Sequence, residues 1–291
     1  MTSPHSFPGF LSSEIEPHPP EECLFHVIPV PYEKSVSYGT GTASGPLAIL
    51  ESSLQLELFD GIGIPAEYGI YTCPPLECDD SAEEVLERIT DAVSKALDLK
   101  KIPVVLGGEH TVSVGAFRAL KTHFKDFGIV QFDAHADLRE TYHGTTQSHA
   151  CVMRRAVEMD IPIFQIGVRS LSHEEHLLRK EKDIGHLDAS AIGMAPVPDM
   201  ILPEDFPKNI YITFDVDGLD PSIMPATGTP EPGGLSWYQA ISALASVIRT
   251  RQVIGFDVVE LAPIPGMHAP EFTAARLIYT LFGMIGRQDR L

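Results

Sequence analysis

Short apolar runs recur along the chain, and segments with helical spacing separate them. Each run is rich in Val, Ile and Phe and is apolar nearly throughout, which is typical of strands that are buried on both faces. The runs span residues 24–30, 102–106, 128–132, 161–167, 209–214 and 252–259. We therefore predict a sheet that is covered on both sides.

The segments between these runs carry signals for helices. Ser81 and Glu84 have the spacing of a capping box, and apolar residues follow at every fourth position. Ser172 and Glu175 repeat the box ahead of a charged helix near residues 173–182. Further helices are predicted over residues 235–250 and 271–285. Alternating strands and helices predict an α/β fold with a mainly parallel sheet.

The beginning of the chain differs from the rest in composition. Residues 1–22 are rich in proline and contain few large apolar side chains. We predict that they form an N-terminal arm, lying on the surface or on a neighbouring subunit. Residues 23–291 contain no internal repeat or long linker and are predicted to form a single domain.

Charge and composition narrow the range of partners. The net charge is -19, from 21 Lys and Arg against 40 Asp and Glu, so the chain repels phosphate backbones and attracts cations. No segment reaches the roughly 18 apolar residues of a membrane helix, and the beginning lacks a signal-peptide pattern. The four cysteines have no disulfide or zinc spacing. We expect a cytoplasmic protein without nucleic-acid or membrane partners.

Residue types that bind metals follow three of the predicted strands. They are His110 after residues 102–106, Asp133, His135 and Asp137 after 128–132, and Asp215 and Asp217 after 209–214. In an extended segment, a spacing of two places side chains on one side. Ligands bind at the carboxyl edge of such sheets, so these side chains are expected to converge.

Four carboxylates at one edge would repel one another unless positive charge lay among them. Two divalent cations would balance them, and oxygen ligands with a minority of imidazole suit Mn²⁺. A single Asp-x-Asp pair is often only a loop cap. Three motifs on the same edge favour a pair of metal ions that could generate hydroxide near neutral pH.

Five motifs resemble those of the ureohydrolase family, which contains arginases and agmatinases. They are GGEH (107–110), DAHAD (133–137), SHACVMRR (148–155), FDVDGLDP (214–221) and VVELAP (258–263). The resemblance runs from about residue 24 to 285 and is strongest to the agmatinases. It implies an arginase-like, three-layer αβα sandwich around a mainly parallel sheet of about eight strands. It also implies two Mn²⁺ ions bridged by hydroxide, and a homo-oligomer, either a trimer or a hexamer.

The resemblance also implies a role for each ligand. One ion would be bound by His110 and Asp137, the other by His135 and Asp217, and both by Asp133 and Asp215. The hydroxide would attack the guanidinium carbon of the substrate, and Asp137 would pass a proton to the leaving amine.

Two further residues match functional positions of the family. His149 matches the proton-shuttle histidine, and histidine titrates near physiological pH; the alternative is a polar residue at a helix N-terminus. Glu260 matches the carboxylate that binds the guanidinium of the substrate; the alternative is a surface acid. Both are predicted to be catalytic and to contact the substrate. Glu109 stands where many members have Asp, and because it is not a ligand we expect little consequence.

The predicted reaction is hydrolysis of agmatine to putrescine and urea, a step of polyamine biosynthesis. Segment 139–149 lacks the longer run of Asn, Ser and Thr by which arginases bind the amino-acid end of their substrate. Arg139 keeps open a substrate with an acidic tail, such as guanidinobutyrate or formimidoylglutamate, and guanidinopropionate and arginine are further alternatives. A single-metal deacetylase would need fewer carboxylates, and a silent polyamine-binding relative would have lost a ligand.

Overall fold

A single parallel sheet of eight strands runs through the computed structural model, which describes residues 7–288. The strands are β1 (Phe25–Val30), β2 (Ile70–Thr72), β3 (Ile102–Gly107), β4 (Gly128–Phe132), β5 (Ile163–Ile166), β6 (Gly185–Leu187), β7 (Asn209–Asp215) and β8 (Gln252–Val259). Their spatial order is β2-β1-β3-β8-β7-β4-β5-β6, and all neighbours pair in parallel. The predicted α/β sheet is confirmed.

Helices connect the strands and cover the sheet. They are α1 (Gly45–Ser53), α2 (Ala82–Asp98), α3 (Ser113–His123), α4 (Val152–Glu158), α5 (His173–Glu181), α6 (Ala189–Met194), α7 (Trp237–Thr250) and α8 (Ala269–Gly286). Both predicted capping boxes are present, at Ser81 before α2 and at Ser172 before α5. Within residues 7–288, every helix is too short or too polar to span a lipid bilayer.

The core forms one layer on each face of the sheet. Successive side chains of a strand point to opposite faces. In β3, Val104 and Leu106 therefore pack in the cluster that contains α1, α7 and α8. Val105, between them, packs in the cluster that contains α2, α3 and α4. Helices on both faces of a central sheet make the three-layer αβα sandwich that the resemblance implied.

The edges of the sheet differ from the sequence prediction. β2 and β6 have only three residues each and are partly exposed, so they lack the long apolar pattern of the inner strands. β5 is shorter than the predicted run 161–167. Pro162 has no N–H for the ladder, and Gly167 leaves the extended conformation with a φ of 92°.

Residues 7–22 lie against the rest of the same chain. Phe10 and Leu11 are fully buried, and the Phe10 ring packs edge-on to Phe282 of α8 with 5.3 Å between centroids. Residues 1–6 lie outside the described residues. The division into an arm and a catalytic domain stays a prediction.

Candidate active site

The predicted ligands and Glu260 lie at the carboxyl ends of four strands in the middle of the sheet. β3, β8, β7 and β4 are neighbours in that order. β3 is followed by His110, β4 by Asp133 and β8 by Glu260, and β7 ends at Asp215. The strand order therefore brings together residues that are up to 150 positions apart along the chain.

The first group of ligand atoms surrounds His110. Its Nδ1 lies 3.0 Å from Asp137 Oδ2 and 3.3 Å from Asp133 Oδ2. Asp215 Oδ2 lies 3.5 Å from the same nitrogen. All four side chains are buried, so the oxygens and the nitrogen face one another rather than water.

The second group surrounds His135. Its Nδ1 lies 3.0 Å from Asp217 Oδ2 and 3.6 Å from Asp133 Oδ1. Asp133 thus presents one oxygen to each group, which is the geometry expected of a carboxylate between two cations. His110, Asp133 and Asp137 have the spacing of a site for one metal ion, and so do Asp133, His135 and Asp217.

The loops that carry the ligands are not extended throughout, so the prediction that an extended segment aligns side chains spaced by two was wrong in detail. Asp137 has a left-handed φ of 52°, and Asp217 lies in a 3-10 turn after β7. Asp133 Oδ1 accepts the His135 N–H at 2.6 Å, and Asp215 Oδ1 accepts the Asp217 N–H at 2.8 Å. In each loop, the first carboxylate therefore fixes the turn that carries the next ligand.

A hydroxyl and a carboxylate orient the ring of His110. Thr213 Oγ1 lies 2.8 Å from His110 Nε2 and donates its own proton to Asp257 Oδ1 at 2.7 Å. Because a hydroxyl has one proton, Nε2 must be the donor to Thr213. The neutral ring then carries its lone pair on Nδ1, toward the carboxylates, as a metal-binding histidine requires.

The donor set fits metal ions. His110 Nδ1 is buried and has no hydrogen-bond partner among residues 7–288, although three carboxylate oxygens surround it. A buried polar atom without a partner is costly, and a cation between these atoms would remove that cost. Oxygen ligands with a minority of imidazole nitrogen are typical of such cations.

Burial and mutual charge shift the pKa values of these groups. Burial, followed by the charge of Asp133, raises the pKa of Asp137 to about 7. Burial, followed by the charge of Asp217, raises the pKa of Asp215 well above its usual range. Burial alone would lower the pKa of His110, but its carboxylate partners raise it well above normal. The directions of these shifts predict that binding a metal would release protons.

A chain of buried side chains supports Asp133 from behind. Gln131 Nε2 donates to Asp133 Oδ2 at 2.7 Å, and Gln165 Nε2 donates to Gln131 Oε1 at 2.5 Å. Arg179 Nε donates to Gln165 Oε1 at 2.8 Å. Arg179 also pairs with Asp188 through both terminal nitrogens. The amides are thereby fixed in one orientation, which holds the shared carboxylate in place.

Glu260 lies inside the site. It is only 6% exposed, which excludes the alternative of a surface acid. Its Oε1 accepts the His110 N–H at 2.6 Å, and its φ is 66°. A non-glycine residue in this conformation costs about 1–3 kcal/mol and is typical of functional sites. Burial raises the pKa of Glu260 well above its usual range, so a cationic group beside it would stabilise the carboxylate.

A cavity of about 260 Å³ opens onto the ligands. Its lining includes His110, His135, Asp137, Asp215, Asp217, His149, Glu260, Ser37, Arg139, Tyr142, Ser170, Glu175 and Thr229. His149 begins the 3-10 turn before α4 and is half-buried. Burial lowers its pKa, and the charge of Glu109 opposes this shift. His149 therefore lines the cavity while part of its side chain stays exposed.

At the rim, Arg139 is balanced by neighbouring groups. Its Nε lies 4.0 Å from Glu175 Oε2, and its guanidinium lies 5.5 Å from the centre of the Tyr142 ring. Its charge is thus already partly satisfied within the protein.

Sequence reasoning missed the support of His149. Glu109 was expected to have little consequence, but it is fully buried and accepts hydrogen bonds from the backbone N–H groups of Lys34 and Ser35 at 2.6 Å each. The hydroxyls of Ser35 and Thr111 also donate to it. The nearest signal was the position of Glu109 in the GGEH motif, beside a ligand.

The comparison with known proteins agrees with this geometry. A family model described as the Arginase family matches residues 24–283. The chain belongs to the arginase family. It is therefore a ureohydrolase, a hydrolase that acts on guanidino groups.

Three arginase-family relatives illustrate how close the similarity is. An N(1)-aminopropylagmatine ureohydrolase from a Synechocystis species is 37% identical, and the match covers 100% of this chain and 99% of that protein. An agmatinase from Pyrococcus horikoshii is 31% identical, and the match covers 90% of this chain and 92% of that protein. The crystal structure of agmatine ureohydrolase from Thermoplasma volcanium has a TM-score of 0.83 and 28% identity, covering 98% of this chain and 96% of that one.

Proposed function

We propose that this ureohydrolase converts agmatine to putrescine and urea with two Mn²⁺ ions. The observation that carries the proposal is the pair of ligand groups sharing Asp133, beside a cavity that Glu260 lines. Each group would hold one cation, and the cavity would give a guanidinium access to them.

The distances within each group support the following ligand roles, and the sharing of Asp215 rests on the family resemblance. One ion would be held by His110 and Asp137, the other by His135 and Asp217, and both by Asp133 and Asp215. Support for the first group is strongest, because three carboxylates lie within 3.5 Å of His110 Nδ1. When bound, such ions supply a hydroxide nucleophile near neutral pH.

Three side chains would handle the substrate and its protons. Glu260 would bind the planar guanidinium through charge-assisted hydrogen bonds. Asp137 would take a proton at its carboxylate and deliver it to the leaving amine. His149 would exchange protons between the cavity and solvent, since it lines the cavity and is half-buried.

The tail of the substrate is expected to be cationic. Arg139 is partly neutralised by Glu175, which makes it a weaker partner for an acidic tail such as that of guanidinobutyrate or formimidoylglutamate. N(1)-aminopropylagmatine is a second candidate, because a relative matched over its whole length carries that substrate in its name. It has the same guanidinium as agmatine and differs only at the amine end, away from the ligands.

A substrate panel tests this proposal. Urea release should require Mn²⁺, stop with chelator, and proceed faster with agmatine than with arginine, guanidinobutyrate or guanidinopropionate. The kcat/KM for N(1)-aminopropylagmatine decides between the two cationic candidates. Faster turnover of formimidoylglutamate or another acidic substrate would contradict the assignment of the tail.

We also infer a trimer or hexamer in the cytoplasm. The family resemblance supports the oligomer, and the free thiols of all four cysteines fit a reducing compartment. Light scattering after size-exclusion chromatography measures the mass of the assembly and would contradict this inference if it gave a monomer.

A further inference from the structure

We propose that Ser35 is a positioning residue for His149, holding the imidazole with its proton on Nδ1 and its lone pair on Nε2. Ser35 lies on the loop after β1, and its Oγ is 3.1 Å from His149 Nδ1. The same oxygen accepts the backbone N–H of His149 at 3.0 Å. Ser35 thus contacts both the ring and the backbone of a residue 114 positions away.

The direction of these hydrogen bonds follows from counting protons. Ser35 Oγ lies 2.7 Å from Glu109 Oε1 and donates its only proton there. Its remaining capacity is that of an acceptor, so Nδ1 of the neutral ring must carry a proton. If Ser35 instead donated its proton to His149 Nδ1, Ser35 Oγ and Glu109 Oε1 would lie 2.7 Å apart without a proton between them.

Glu109 makes this arrangement rigid. Its Oε2 accepts the N–H groups of Lys34 and Ser35, and its Oε1 also accepts the Thr111 hydroxyl at 2.5 Å. All four partners are donors, so each carboxylate oxygen accepts two hydrogen bonds. The side chain of Glu109 is also fully buried. Ser35 is therefore held by its backbone and by its hydroxyl.

The lone pair of His149 faces the cavity as a result. Ser37 Oγ lies 3.5 Å from Nε2, and both residues line the cavity. Ser148 Oγ is the other hydroxyl near Nδ1, at the longer distance of 3.5 Å. A neutral ring in this tautomer can accept a proton from the cavity side without first rotating.

This inference rests on the proposed function of His149, and kinetics test it by a double-mutant cycle. We expect Ser35→Ala to lower kcat about 10-fold with little change in KM, as the loss of an orienting partner typically does. His149→Phe should lower kcat about 100-fold. In the His149→Phe background, Ser35→Ala should have less than about a 2-fold effect, because coupled residues are not additive.

Two further variants serve as controls. Ser35→Thr keeps the hydroxyl and should restore most of the lost activity. Ser13→Ala removes an exposed hydroxyl that binds Leu54 O on another surface, and it should match the parent protein. An equal loss from Ser35→Ala in both backgrounds would overturn the proposal.

A readout without catalysis separates this inference from the proposed function. In the metal-free full-length chain near pH 8, the ¹⁵N shifts of the His149 ring should show protonated Nδ1 and unprotonated Nε2. In Ser35→Ala, they should move toward the opposite tautomer. Protonated Nε2 in the parent protein, or unchanged shifts in Ser35→Ala, would overturn the inference. Full activity of His149→Phe would instead refute the proton-shuttle role alone, since the ring shifts would still decide the positioning role.

Discussion

His110 and His149 are held by the same kind of support but lie in different surroundings. One ring nitrogen of each lies against a hydroxyl that donates to a carboxylate: Thr213 and Asp257 for His110, Ser35 and Glu109 for His149. The other ring nitrogen of each histidine makes no contact with this supporting hydroxyl. For His110 it is Nδ1, among three carboxylates; for His149 it is Nε2, on the side of the cavity.

The surroundings decide what each imidazole can do. His110 is fully buried, and its carboxylate partners raise its pKa well above normal despite burial. His149 is half-buried, and burial lowers its pKa although the charges of Glu109 and Asp133 oppose this shift. The first environment favours a bound cation, whereas the second favours a neutral ring that exchanges protons. Orientation alone therefore does not define the role of a histidine.

The largest effect should come from removing the carboxylate that both ligand groups share. We expect Asp133→Asn to lower kcat by more than about 100-fold, because loss of an outer partner of a ligand already costs up to that amount. Metal content should fall, while the contacts of His149 with Ser35 persist. Urea release and elemental analysis measure both quantities. Retained activity with two bound ions would contradict the shared role of Asp133.

A smaller effect should follow from removing the support of His110. Thr213→Val keeps the side-chain shape but leaves His110 Nε2 without its acceptor, so Mn²⁺ affinity should fall about 10- to 100-fold. Ser35→Ala should leave the affinity unchanged, which sharpens the contrast between the two histidines. Ser246→Ala is a matched control, since it removes another buried hydroxyl, bonded to Asp199 O at 3.0 Å. Equal metal affinity of Thr213→Val and the parent protein would contradict this support.

The smallest expected effect is the change in the stability of the fold with pH. The pKa of Asp137 is raised to about 7 and those of Asp215 and Glu260 well above normal, mainly by burial. Groups with raised pKa values stabilise the metal-free fold most at a pH below about 4, which is their pKa in the unfolded chain. This stabilisation is lost as the pH rises through their pKa values in the folded chain. Bound cations offset the charge that then forms.

The rise in Tm on adding Mn²⁺ should therefore be about 5 °C larger near pH 8 than near pH 5.5. Differential scanning fluorimetry with and without metal measures it at each pH. A metal-induced rise that was equal or larger at the lower pH would argue against protons occupying the metal site.

The inner strands, the capped helices and the ligand residues could be predicted because their signals are local. Strands such as β3 and β8 are apolar nearly throughout, and Ser81 and Ser172 mark helix starts within four residues. β2 and β6 were missed because strands of three residues at an edge carry too little pattern.

The supports of the two histidines could not be predicted, because their partners are far apart in sequence. Ser35 and Glu109 are separated by 74 positions, and His110 and Thr213 by 103. No periodicity connects such residues; only the strand order brings them together. The left-handed conformation of Asp137 was also invisible in the spacing, which suggested an extended segment.

Counting the metal ions on the folded chain tests the central idea most directly. With excess Mn²⁺ near pH 8, isothermal titration and elemental analysis should both give two ions per chain, and Asp133→Asn should lose at least one. One ion or none on the parent protein under these conditions would contradict a site built from two groups that share a carboxylate.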